Sequence, residues 1–265
     1  MAPSAKSKSA LLYVSSVVDN AVDVYSYPQG QLVGTLTGFS DPYGLCSDKA
    51  GDVFVVNDGA STIVEYEHGG TNAIATLSDA NEYPEGCSVD PTNGNLAVTN
   101  FSSSTGNGSV AIYTDAKGSP QLYSDTAIVN ERFCGYDARG NLFVDGATAN
   151  DRFQLAELKK GKTVFKNINL AETIEWPGGA QWDGKYVAVG DTDTGKIYRV
   201  TEKGAVKGTV SLSGVSYVDQ FWIRGKSVAV PSQDGGNVGL FAYPAGGSPS
   251  ETIDVTEPFG ATIST

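Results

Sequence analysis

Residues 51–58 read GDVFVVND: a Gly-containing turn, a short apolar run, then Asn57 and Asp58. A run this short, rich in Val and Phe and bounded by Gly and Asn/Asp, reads as a β-strand. The same phrase returns as GNLAVTNF at 94–101, GNLFVDGA at 140–147, GKYVAVGD at 184–191 and GKSVAVPS at 225–232. LLYVSS at 11–16 is a copy without the turn. The central valines, Val14, Val55, Val98, Val144, Val189 and Val230, stand 41–46 residues apart. That interval matches one four-stranded propeller blade.

Working outward, a second strand ends about ten residues later at Tyr25, Tyr66, Tyr113, Leu158, Val200 and Phe241. A third run follows in each unit, for example NAIATLSD at 72–79. Before the valine phrase lies a small-residue strand: YGLCSD, EGCSVD, FCGYD, GGAQWD and DQFWIRG. The sixth such strand is at the far end, because EPFGATIST at 257–265 matches DPYGLCSD at 41–48. The C-terminal strand is therefore expected to complete the blade that the N-terminus begins. The prediction is an all-β, six-bladed β-propeller with four-stranded blades, closed in a 1+3 arrangement. Closure of this kind removes free strand edges. Gly44, Gly86, Gly135, Gly179 and Gly260 fall on the innermost strands, where strands crowd round one axis. Residues 1–9 read as a disordered polar tail and 10–265 as a single domain.

The chain has 265 residues, with 18 Lys and Arg against 30 Asp and Glu, a formal net charge of −12. Such a surface repels phosphate backbones, so no nucleic-acid partner is expected. No apolar run approaches the roughly 20 residues of a membrane helix, so no membrane span is expected. The start, MAPSAKSKSA, has no apolar core of a signal peptide. Met1 is the only methionine and reads as a start codon placed after a removed export signal. An extracellular or periplasmic location is expected on that reading. Three cysteines, Cys46, Cys87 and Cys134, make an odd number with no CxxC, so they read as small buried residues with three free thiols. His68, before Gly69 and Gly70, reads as part of a solvated turn, and nothing places it in a catalytic triad.

The motif Pro-x-Gly…Asp-x-x-Gly-Asn-Leu-x-Val resembles the NHL-repeat and related six-bladed propellers. One copy, YPEGCSVDPTNGNLAV at 83–98, is similar to the Glu-Gly-Pro…Asp-Pro-x-x-Gly pattern of the senescence-marker-protein/gluconolactonase group. That resemblance implies a role for Glu85 as ligand to a divalent ion, calcium or zinc, in the central channel. Cys87 stands where the group has Pro, and its Pro-Asn-Gly segment has no counterpart here.

In a propeller, the loops leading into the inner strands share one face with the loops joining second and third strands. On this upper face the sequence places Tyr43, Tyr83, Glu85, Arg132, Trp176, Tyr217, Asp219 and Phe259 as a candidate ligand-binding set. Glu85 occupies the position held by Tyr43 and Phe259 in other blades, just before the inner-strand Gly. It is read either as a metal ligand, with Asp219 as a second carboxylate, or as the ion-pair partner of Arg132 or of backbone N–H groups. Asn57, Asn100, Asn130, Asp145 and Asp191 are further oxygen donors, since calcium takes 6–8 oxygens. The aromatic residues would stack a sugar or a peptide side chain, or pack between blades. Asp48, Asp90, Asp137 and Asp183 recur after the inner strands and read as caps of Gly turns. Asn100 and Asn107 each begin an N-glycosylation pattern.

The leading reading is an exported, monomeric, non-enzymatic propeller that binds a small molecule, glycan or peptide on the upper face, or serves as a scaffold. The alternative is a metal-dependent hydrolase of lactones or phosphoesters, in which a metal-bound water attacks the substrate. A third reading is an engineered or vestigial scaffold.

Overall fold

Alternation in each valine phrase sends neighbouring side chains into different blade junctions. In β1 (Leu11–Ser16), Leu11 and Tyr13 pack into one cluster while Leu12 and Val14 pack into another. A strand buried on both faces must be apolar at almost every position, which is why the phrase stands out. The structure is a computed structural model and describes residues 1 and 9–265. Positions 2–8, where most of the polar tail was expected, lie outside the described residues.

After β1 the chain continues through β2 (Ala21–Ser26) and β3 (Leu32–Thr37). The next blade is β4 (Pro42–Ser47), β5 (Val53–Asn57), β6 (Thr62–Tyr66) and β7 (Ala73–Ser78). Then come β8 (Glu82–Val89), β9 (Leu96–Ser103), β10 (Gly106–Tyr113) and β11 (Gln121–Tyr123). The following blade is β12 (Asn130–Tyr136), β13 (Leu142–Ala147), β14 (Phe153–Leu158) and β15 (Lys166–Ile168). After it stand β16 (Pro177–Trp182), β17 (Val187–Asp191), β18 (Lys196–Val200) and β19 (Val206–Ser211). The last full unit is β20 (Trp222–Arg224), β21 (Ser227–Ser232), β22 (Asn237–Ala242) and β23 (Gly246–Asp254), followed by β24 (Pro258–Ser264). These strands form six four-stranded antiparallel sheets, and the closing sheet has the order β24-β1-β2-β3. The fold is thus the six-bladed propeller with the 1+3 closure that the repeat implied. No helix among the described residues is long and apolar enough to cross a membrane.

The glycines on the inner strands show how tightly the ring is drawn. A Cβ built on Gly86 would lie 2.8 Å from the Arg132 carbonyl oxygen, on Gly135 2.6 Å from that of Ala180, and on Gly179 2.8 Å from that of Asp219. On Gly260 it would lie 2.5 Å from the Tyr43 carbonyl oxygen, and on Gly44 it would collide with that of Glu85. Each glycine therefore lets its strand approach the backbone of the next inner strand round the axis. The fifth full unit has no such glycine. There Gln220 donates to the Leu45 carbonyl at 2.8 Å and accepts from the Leu45 N–H at 2.7 Å, reaching past Gly260 to tie two blades together.

Two sequence expectations need correction. Cys46 on β4 and Cys87 on β8 form a disulfide, with Cα atoms 5.7 Å apart, and only Cys134 remains a thiol. The two lie 41 residues apart, one blade period, so the ring sets them on adjacent inner strands. The odd count argued from number and overlooked position. His68 is half-buried rather than solvated: its Nδ1 lies 2.6 Å from Ser264 Oγ, fastening the C-terminal strand at the lower end.

Candidate ligand-binding site

Five of the six inner strands carry an irregularity at their upper end. Pairing slips between Pro42 and Leu45 on β4, between Pro84 and Gly86 on β8, and between Glu131 and Phe133 on β12. It slips again between Pro177 and Ala180 on β16, and on β24 beyond Ala261. A bulge bends its strand and re-aims a side chain. The residues in or beside the slips include Tyr43, Glu85, Arg132 and Phe259, so the bulges bring these side chains to the axis.

They line a cavity of about 430 Å³ together with Val17, Asp58, Tyr83, Pro84, Phe101, Ser102, Trp176 and Gln233. Its floor is closed. Phe133, Ala180 and Phe259 form a buried cluster with Tyr43 and Val17 against it. Tyr43 meets Phe259 edge-on at 4.5 Å between ring centres, and Phe133 lies 6.0 Å from Phe259. Tyr83 and Phe101 are exposed at the rim, Trp176 is half-buried, and Phe259 is buried. Of the expected set, Tyr43, Tyr83, Glu85, Arg132, Trp176 and Phe259 meet here. Asp219 stands just behind, and Tyr217 is an exposed loop residue that does not line the cavity. Val17, Ser102 and the Phe133 floor were not expected from sequence.

At the floor, Arg132 binds one oxygen of Glu85 twice: Nε donates to Oε1 at 3.0 Å and an NH2 group at 2.6 Å. The same NH2 group is 3.9 Å from Asp219 Oδ1. The guanidinium lies 5.5 Å from the Phe133 ring centre and 6.0 Å from that of Phe101. Glu85 is 6% exposed, yet its Oε2 has no hydrogen-bond partner. Asp145 is fully buried; its Oδ1 accepts the Phe133 N–H at 3.0 Å, and Oδ2 has no partner.

One guanidinium thus serves a crowd of carboxylates. Burial raises Glu85 above its ordinary range, although the Arg132 charge and hydrogen bonds pull it down. Burial holds Asp145 well above the usual value, against the Phe133 N–H and Arg132. Asp219 is raised by burial, with Arg132 opposing. Asp58 is pushed up to about 6 by burial and by the Asp41 charge. Burial works against the charge of Arg132, but Glu85, Asp219 and Asp145 together keep it firmly protonated.

A calcium or zinc ion on the axis would need a different donor set. Among the described residues no three His, Cys, Asp or Glu side chains are gathered to hold a metal ion, and the cation facing Glu85 is Arg132. Asn57 spends its Oδ1 on the Ser40 N–H at 2.7 Å. Asn100 is fully buried, which removes it as a glycosylation acceptor, whereas Asn107 is exposed. A wider recess of about 700 Å³ lies at the rim between Gln233–Gly236 and Asp254–Glu257. It lacks aromatic walls and buried charge, so the axial cavity is the better-built site.

Comparison with protein families finds no match, and neither does comparison with curated proteins. Solved structures share the fold. A chain of a nidogen/laminin complex matches with a TM-score of 0.80 and 16% identity, covering 97% of this chain and 98% of that one. A functionally unknown protein from Desulfotomaculum acetoxidans DSM 771 gives 0.67 and 10% identity, covering 97% and 99%. Virginiamycin B lyase from Staphylococcus aureus gives 0.59 and 13% identity, covering 83% and 73%. At these identities the likeness is one of fold.

Proposed function

We propose that this chain is an exported, non-enzymatic binding propeller that takes a small molecule, glycan or peptide segment in its upper cavity. The observation that carries this reading is the concave, aromatic-walled cavity over a buried ion pair, closed below by the Tyr43–Phe259–Phe133 plug. Sites of this size, apolar walls with a few placed polar groups, are where ligands are held. A closed floor suits a pocket better than a conduit. The Cys46–Cys87 disulfide supports an oxidising compartment outside the cytoplasm. The similar chain from a nidogen/laminin complex is a propeller-like chain crystallised in a protein assembly, in keeping with a partner docked on such a fold. The donor set, with Arg132 as the cation on Glu85, does not fit the metal-dependent hydrolase.

The test is a thermal-shift screen of glycans, short peptides and metabolites on wild type and Trp176→Ala. Ligands that raise the melting temperature of the wild type by several degrees and lose that effect in Trp176→Ala would support the upper cavity. Hits that ignore Trp176→Ala and Tyr83→Ala alike would place binding elsewhere and overturn the reading.

A further inference from the structure

The charge on the cavity does not balance. Glu85 and Asp58 line it, Asp219 stands behind, and Arg132 is the one Lys or Arg among the lining residues. Arg132 satisfies only one oxygen of Glu85. The other, on a side chain more than nine-tenths buried, is left without a partner. A buried carboxylate oxygen in this state is costly unless something donates to it. The cavity that Glu85 lines is walled by the rings of Tyr43, Tyr83, Phe101, Trp176 and Phe259. Aromatic faces attract cations, most strongly when both are shielded from water. The chain's net charge of −12 adds a long-range field of the same sign. The cavity at the opposite end offers a contrast. It holds about 360 Å³ among Phe133, Trp182 and Trp222, and its one carboxylate, Asp137, is fully hydrogen-bonded.

We propose that the upper cavity binds an organic cation, the ammonium or guanidinium end of a lysine- or arginine-like chain, anchored on the Glu85 carboxylate and walled by the aromatic rings. This rests on the upper-face binding proposed above and names its ligand class. An ammonium brings three donors and no acceptor, which is what a half-satisfied carboxylate beside a second and third acid requires. A guanidinium would offer Glu85 the same paired N–H donors that Arg132 offers it. The same chemistry comes from two sources, a free polyamine or a basic side chain on a partner protein.

Isothermal titration at pH 8 and low salt would use spermidine, Nα-acetyl-lysine methylamide, Nα-acetyl-arginine methylamide and, as the opposite sign, Nα-acetyl-glutamate methylamide. Both kinds of cation should bind with dissociation constants below about 1 mM, with the glutamate derivative silent. Spermidine favoured over the capped amino acids identifies a free amine; the reverse identifies a partner's side chain. Glu85→Gln should weaken the cation at least tenfold. Should Glu85→Gln fold poorly, Asp58→Asn is the second variant, with about a threefold loss and a shallower dependence on salt. Cation affinity indifferent to both variants, or no cation binding by folded wild type, overturns the proposal. An anionic probe that binds and is lost in Arg132→Gln also overturns it while leaving the upper-face reading intact.

Discussion

The carboxylates that recur at the lower end and three that do not recur at the upper end are buried in opposite ways. At the lower end, Asp48, Asp90, Asp137 and Asp183 follow the inner strands, and each takes backbone N–H groups of its own turn. Asp183 Oδ2 also accepts Arg199 Nε at 2.6 Å and the Tyr243 hydroxyl at 2.8 Å. Burial alone would raise Asp137 and Asp183, but their donors outweigh it and hold both below the ordinary value. At the upper end, Glu85, Asp145 and Glu131 are buried as deeply, keep oxygens without partners, and are raised. Carboxylates that repeat with the blade are turn caps, while these three break the repeat and burial opposes their ionisation. The signs of their stability effects differ too. Asp137 and Asp183 stabilise above the carboxylate range, and that contribution is lost as pH falls through their lowered values. The raised upper carboxylates weaken the fold as pH rises and they are forced to ionise.

The most severe way to break this comparison is to remove β24, which spans both ends. It supplies Phe259 to the upper plug and Ser264 to His68 and Gly51 below. Deleting 257–265 exposes β1 and gives up the burial of Phe259, Ala261 and Ile263. Phe and Ile together are worth roughly 3–6 kcal/mol, against a net stability of about 5–15 kcal/mol. The truncated chain should lose cooperative urea unfolding followed by circular dichroism. A single sharp transition at the wild-type midpoint would contradict the closure.

A smaller change isolates the lower end. Asp183→Asn keeps the shape but leaves Arg199 without its anion and puts an amide where an acceptor is needed. Its side chain is fully buried, while that of Arg199 is 21% exposed, so the loss should be about 2–3 kcal/mol. Urea titrations at pH 7 would read this as a lower midpoint with unchanged slope, and ligand binding at the upper cavity should persist. A loss within about 0.5 kcal/mol, the size of ordinary surface changes, would mean the lower caps are ornaments of the repeat.

Most of the fold was legible because every blade junction needs apolar side chains on both faces of the central strands, and that demand repeats. Closure was legible because EPFGATIST copies DPYGLCSD around an inner-strand Gly. Glu85 stood out as a residue that broke a periodic position, and its pairing with Arg132 was one of two open readings. What a repeat cannot display is contact between unlike positions. Phe133 fills the axis and Gln220 reaches across β24 through side-chain length, which no alignment of blades records. Tyr217 was placed by analogy with the other blades, but the chain from 213 to 219 is irregular and β20 is only three residues long, so the register is lost there.

Glu131 sharpens the comparison with the smallest change. It is 1% exposed, neither of its oxygens has a partner, and burial pushes it up to about 8. The geometry shows why: a Cβ built on Gly108 would meet Glu131 Oε2 at 2.6 Å and the Phe101 carbonyl oxygen at 2.9 Å, with the Asn100 carbonyl oxygen also against it. Backbone N–H groups of Glu131 and Asp125 pull its value down without meeting full hydrogen-bond geometry, and burial outweighs them, so Glu131 keeps its proton. An unfolded chain releases that proton near the ordinary value of 4.5. Folded protein therefore binds more protons than unfolded between about 4.5 and 8, and stability falls as pH rises across that window. Glu131→Gln carries no proton to lose, and its amide can donate to the same carbonyl oxygens. Relative to wild type it should be nearly neutral at pH 4.5 and more stable by on the order of 1–2 kcal/mol at pH 9. Melting curves of both proteins from pH 4.5 to 9 would show the wild type falling faster on the alkaline side. Parallel curves would mean that Glu131 ionises without cost, and that an unpartnered carboxylate at the upper end does not mark stored charge.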